Sequence, residues 1–373
     1  MRVKVIWPLK FVYNMSEGRA AGLLVAMRDQ WASMTGMAFM FVSTILIGLS
    51  VQPIYNIPEA RAFGEEGASK GAFVALELFM IGIFTIVIIW LARRGLEFFI
   101  KAIVLFALWM SLFYALQPYV ALMLYFLDLD TLANVAILSV AISIGSIYLL
   151  HRFPEWYVVN GVGIMVGAGV ITLIGVSFVP VLIIGFMIAA AIYDYWAVNG
   201  SKHMLELADT MIGLKLPVLL VAPKNANYSF IDEDDSVMMD KEIESSSMDW
   251  EDPVPHIKNE GGDTKGRDAL FMGLGDIIFP GMLVISSVSF LPQTGGEVTY
   301  FSAFGVMYAD SLTVAMGTLL GGLVGYFALM TQVARGKPQA GLPLLNGGSI
   351  LGYLISGYFA LGMSNLWQDI TFF

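Results

Sequence analysis

Nine runs of about twenty mostly apolar residues recur along this chain, and each is long enough to cross a hydrocarbon layer ~30 Å thick as a helix. In lipid no water satisfies the backbone, so such a run is confined to a helix, whose hydrogen bonds close on themselves. The runs are Trp31–Val51, Ala72–Ala92, Glu97–Gln117, Thr131–Leu150, Tyr157–Val176, Phe178–Asn199, Ala269–Phe290, Ser311–Thr331 and Leu342–Asn365. Pro118–Leu127 is apolar but too short to cross alone, and reads as an extension of the third run beyond a proline kink. The expectation is an all-α polytopic membrane protein with nine transmembrane helices.

The basic residues test that count, because Lys and Arg collect in cytoplasmic loops. Of the 20, 18 fall on one alternating set of segments: the N-terminal tail, loops two, four and eight, and the long sixth loop; Arg61 and Lys70 are the exceptions. The N-terminus is therefore expected inside and the C-terminus outside. The organisation expected is a basic cytoplasmic tail over residues 1–30, six spans over 31–199, a cytoplasmic loop over 200–268 and three spans over 269–373. Residues 1–30 lack the uninterrupted apolar core of a signal peptide.

Hydrophobic residues make up 57% of the chain and charged ones 13%, the balance of a membrane protein rather than a soluble domain. The net charge of −10 gathers largely in one place: Ala222–Asp268 holds 13 acidic and 5 basic residues. Its centre, Ile231–Asp252, reads by composition as a solvated, disordered linker. With no cysteine, thiolate metal sites and disulfides are excluded. His151, His203 and His256 are far apart in polar stretches, which argues against a metal cluster or a Ser–His–Asp triad. No cofactor, metal or nucleic acid is expected.

A charged side chain inside a span is costly and is usually there for function. Glu77, Glu97, Lys101 and Asp310 lie near span ends, where a side chain reaches the interface. Asp194 and Asp276 lie deeper, about five residues before the sixth span ends and about seven into the seventh. Those spans run in opposite directions, so both carboxyls are expected roughly 8–10 Å below the cytoplasmic edge. Two such carboxyls can share a proton, one acting as base toward a water and the other as acid toward a carbonyl oxygen or leaving amine. Position alone also admits a proton relay in a transporter, or caps on broken helices.

Neighbouring residues favour acid–base work on a peptide. Gly273 and Gly275 flank Leu274 just before Asp276, and glycines let another backbone approach. Pro280, one turn on, should loosen the helix there. Ala340-Gly341-Leu342-Pro343-Leu344-Leu345 opens the ninth span on the same side.

Tyr193-Asp194 and Gly273-Leu274-Gly275-Asp276 resemble the YD and GxGD motifs of presenilins and signal peptide peptidases. The nine runs, the topology and the long loop between the motifs are similar too, over residues 31–365, as is Ala197-Val198 through Glu206. The archaeal presenilin-like proteases look nearest. The family's Pro-Ala-Leu motif corresponds to Ala340-Gly341-Leu342 followed by Pro343, or else to Pro343-Leu344-Leu345; the leucine is Leu342 or Leu345.

The resemblance implies an intramembrane aspartyl protease in which Asp194 and Asp276 are catalytic. Tyr193, Gly273, Leu274, Gly275, Ala340, Gly341, Leu342, Pro343 and Leu345 would then shape the site or position substrate. It also implies that a short strand, Val218-Leu219-Leu220-Val221, forms when substrate binds and pairs with its unwound backbone. Ser201–Met211, just before it, has the apolar spacing of a short interfacial helix. The implied partners are transmembrane peptides or membrane-protein substrates and the lipid bilayer, with a homo-oligomer left open. The implied location is a membrane, the plasma membrane in a prokaryote. Prepilin-type peptidases share a GxGD aspartate but have fewer spans. A proton-coupled transporter is the non-enzymatic alternative, although the chain shows no convincing internal repeat.

Overall fold

The computed structural model describes residues 7–62, 64–198, 219–224, 228–229, 269–299, 305–333 and 340–371. Among them nine long helices coincide with the nine apolar runs: α1 (Trp7–Tyr55), α2 (Gly71–Arg93), α3 (Glu97–Tyr125), α4 (Leu132–Arg152), α5 (Trp156–Gly175), α6 (Pro180–Trp196), α7 (Leu274–Phe290), α8 (Ala309–Val333) and α9 (Leu342–Ala360). Six are long and apolar enough to cross a membrane, while α6 and α7 are apolar but have 17 residues each. Helix α1 begins at Trp7 and so takes in most of the stretch read as a tail. Helix α3 runs on through Pro118 to Tyr125, as the extension of the third run required. Local chemistry marks the ends: Thr131 accepts the Asn134 N–H at the start of α4, and Pro180 opens α6, where a missing N–H costs nothing.

Helix α7 is the hub. It packs on α1, α5, α6, α8 and α9, and every residue from Pro280 to Ser289 is buried. Its serines are satisfied inside: Ser286 donates to the Phe178 carbonyl at 2.6 Å, and Ser289 receives the Gln52 side-chain N–H at 2.9 Å. Gly281 allows a close approach, since a Cβ there would stand 2.6 Å from Ile171 Cδ1 of α5. Helices α8 and α9 meet along Gly321, Gly325, Gly348 and Gly352, where backbone faces backbone, the contact small residues permit in a membrane. Helices α2, α3 and α4 lie outside this cluster and expose Phe79, Ile86, Phe106 and Ile137 on a lipid-facing surface.

Two short antiparallel ribbons interrupt the helices. Strand β1 (Leu219–Pro223) pairs with β2 (Ala269–Gly273), Leu219 opposite Gly273 and Pro223 opposite Ala269. Strand β3 (Glu297–Val298) pairs with β4 (Met307–Tyr308). The first ribbon corrects the reading of Ala269–Phe290 as one helical run. Its first five residues pair with β1 instead, and the helix starts only after Gly273, whose backbone is extended (φ −61°, ψ 137°). Asp310, in the first turn of α8, accepts from Thr294 Oγ1 at 2.7 Å.

Candidate active site

Asp276 is the third residue of α7, not some seven residues into a span, because β2 has claimed the residues before it. Gly273 is the N-cap, and the Asp276 carboxyl folds back on it: a Cβ at Gly273 would lie 3.5 Å from Asp276 Oδ2. An acidic side chain at this position of a helix can serve the cap's own N–H. One turn later Pro280 has no N–H to give the Asp276 carbonyl, so the helix is loosened where the acid sits. Gly275 is exposed, and a Cβ there would meet nothing within 4 Å, leaving an open face beside Asp276.

Asp194 comes from the last turn of α6 and is buried, 3% exposed. Its Oδ2 accepts the Leu342 N–H at 3.1 Å. Leu342 opens α9, and the first N–H groups of a helix have no partner within it. Asp194 therefore caps α9 from a different helix. Gly341 precedes it, and a Cβ there would lie 3.2 Å from both carboxyl oxygens of Asp276. Both carboxyls thus abut one dipeptide, Gly341-Leu342. An alanine at 341 would press against Asp276, so glycine suits this position.

The other residues singled out in the sequence divide. Leu342 brings its backbone to the pair, whereas Leu345 is fully buried in the apolar core. Ala340 is half-buried just before Gly341. Pro343 lines a groove between α6 and α9 of about 350 Å³, with Met187, Tyr195 and Asn346. Leu274 packs toward Gly167 of α5, and exposed Tyr193 lies beside Trp196. Leu219, Leu220 and Val221 are in β1; Val218, Ser201–Met211 and Ile231–Asp252 lie outside the described residues. No cluster of metal-binding side chains occurs among the described residues.

Sequence reasoning missed three polar residues that frame the site. Buried Asn160 of α5 donates from Nδ2 to the Val221 carbonyl at 2.7 Å and accepts the Val221 N–H on Oδ1 at 2.8 Å. Buried Ser33 of α1 donates to the Pro223 carbonyl at 3.1 Å. Buried Asn346 of α9 donates to the Met187 carbonyl of α6 at 2.9 Å, joining the two helices one turn along α9 from Leu342. The available signal was a lone amide or hydroxyl in an apolar run, which must find a partner when buried.

The sequence profile described as signal-peptide peptidase, presenilin aspartyl protease matches residues 37–362. Two solved structures of a presenilin family intramembrane aspartate protease, in space groups C222 and P2, are similar to this chain at 25% and 26% identity. Each covers 89% of this chain and 100% of its own, with a TM-score of 0.54. No curated protein matches.

Proposed function

This chain belongs to the signal-peptide peptidase and presenilin family of aspartyl proteases, and we propose that it hydrolyses peptide bonds within or near the transmembrane helices of membrane-protein substrates, with Asp194 and Asp276 as its acid–base pair. The observation that supports this most is the meeting of both carboxyls at Gly341-Leu342, brought there by α6, α7 and α9. The pair holds one proton between its two carboxyls. The ionised carboxyl takes a proton from water as the water oxygen attacks the scissile carbonyl carbon. The protonated one gives its proton to the carbonyl oxygen, forming a tetrahedral diol. The carboxyl that took the water proton then gives it to the amide nitrogen, the other carboxylate takes a proton from a diol hydroxyl, the C–N bond breaks, and an acid and an amine leave with one proton again on the pair.

A peptide bond inside a helix is shielded, so the substrate must unwind and have its backbone groups satisfied elsewhere. The β1–β2 ribbon runs directly into α7 at Asp276 and offers strand-like backbone at the right place. The proposed topology has nine spans, with the N-terminus and the 200–268 loop in the cytoplasm. A detergent-purified preparation incubated with a labelled transmembrane peptide tests the reading, with and without an aspartyl-protease transition-state analogue. Analogue-sensitive products from within the membrane segment are expected; intact peptide at every enzyme concentration would overturn it.

A further inference from the structure

Strand β1 has two edges, and one faces β2. In an antiparallel pair, successive residues direct their N–H and C=O alternately toward the partner and away from it. Val221 spends both groups on Asn160, so it points away from β2, as does Pro223, two residues on. Leu220 and Ala222 consequently make the ladder with Met272 and Leu270. The outward edge of β1 is thus closed by side chains from Val221 to Pro223: the Asn160 amide occupies both groups of Val221, and Ser33 occupies the Pro223 carbonyl. A primary amide seated on N–H and C=O together reproduces what a neighbouring strand would offer.

We propose that Asn160 and Ser33 are positioning residues for the cleavage reaction. They close the outward edge of β1 from Val221 to Pro223 and fix the ribbon's register against α5 and α1, and so decide which substrate bond is delivered to the carboxyls. The inference rests on the protease reading above. It revises the expectation that Val221 pairs with substrate, because its backbone groups are already engaged inside the chain. The physical need is sharp: a strand that slips by one residue turns every side chain to the opposite face. Strand β2 is continuous with α7, so a slip of the ribbon moves the frame that leads to Asp276. Buried Asn160 holds that frame with two hydrogen bonds to one residue, contacts from which a one-residue slip would remove Val221.

The test is the distribution of cut sites, read by mass spectrometry of products from one transmembrane peptide. Asn160→Leu removes both bonds to Val221, and Ser33→Ala removes the bond to Pro223. Tyr353→Phe is the control: it removes a buried hydrogen bond to the Leu366 carbonyl, away from the ribbon. The wild type is expected to give one dominant product, and Asn160→Leu to lower its share about twofold or more in favour of neighbouring bonds. Ser33→Ala should shift the distribution the same way by less, and Tyr353→Phe should leave it unchanged. Should Asn160→Leu not fold, Ser33→Ala, which loses one hydroxyl, decides. An unchanged distribution in the folded ribbon variants overturns the proposal even if their rates fall. No cleavage by wild type overturns the protease reading instead.

Discussion

Helices α4 and α5 have the same mean hydropathy and nearly the same length, yet 61% of the α5 span is buried against 11% of the α4 span. What separates them is the kind of small and polar residue each carries. In α5, Gly167, Gly169 and Gly175 face neighbours a Cβ would strike, and Asn160 and Thr172 are buried with partners in other elements. In α4, Gly145 faces open space, and Ser146 bonds back to its own helix. Apolar content thus identifies the solvent as lipid without saying which helix is core. Glycines at close approaches, and amides that bond between helices, do say so.

The sharpest contrast is at the two carboxyls. Asp194→Asn and Asp276→Asn are expected to lower peptide cleavage by about 10²–10⁴-fold or more, the usual contribution of a general acid or base. Neither should change the melting temperature enough to explain the loss. Substantial cleavage by either purified variant would end the assignment. In the wild type the pair should titrate as a unit and give a bell-shaped pH–rate profile when chemistry is limiting. A profile flat from acid to alkaline pH would count against a shared proton.

The ribbon supplies the next largest effect. Proline at Leu220 removes an N–H that the alternation directs at Met272, whereas the N–H of Leu219 is directed away from β2. Leu220→Pro should therefore reduce cleavage by about tenfold or more, well beyond Leu220→Ala. Leu219→Pro should do less. Equal, unimpaired cleavage by both proline variants would show that the ribbon has no part in presenting substrate.

Stability should divide along the line between the α5–α7 contact and α4. Gly281→Ala sets a Cβ 2.6 Å from Ile171, and overpacking of this kind costs about 1–3 kcal/mol. Gly145→Ala meets nothing within 4 Å and should be neutral, or stabilising by up to ~1 kcal/mol through helix propensity. Thermal melts in one detergent measure both. A larger loss at Gly145 than at Gly281 would invert the assignment of core and lipid face.

The helices were legible because run length and loop charge report on the bilayer directly. Asp194 and Asp276 were legible because a carboxyl inside a span is conspicuous, and the order of the YD and GxGD motifs restricted what it could mean. The start of α7 was placed too early because Ala269–Gly273 is apolar throughout, and apolar residues alone do not distinguish a strand from the start of a helix. Its pairing with Leu219–Pro223 crosses a long sequence gap that periodicity cannot bridge. The contact of Leu342 with Asp194 is made through a backbone N–H rather than a side chain, and so had no signature in residue type.

The smallest effect is expected from removing the most charged part of the chain. Ile231–Asp252 lies outside the described residues, so its role is argued from composition alone. It is rich in Asp, Glu, Ser and Met and lacks the apolar periodicity that would dock it on a helix. Its charges lie far along the chain from both Asp194 and Asp276, and repulsion among exposed carboxylates is screened over about 8 Å at physiological salt. The residues that flank the site, Leu219–Pro223 and Ala269–Gly273, are held through Asn160, Ser33 and each other, none of them in the deleted segment. Deleting Ile231–Asp252 also leaves ample chain to join β1 to β2, and shortening a loop changes its closure entropy only slowly. The deleted protein should melt within ~0.5 kcal/mol of wild type and cleave a transmembrane peptide within about twofold. A cooperative loss of folding would instead mean that the acidic segment packs on the membrane-embedded helices. A selective loss of cleavage with normal melting would mean that it reaches the ribbon or the substrate.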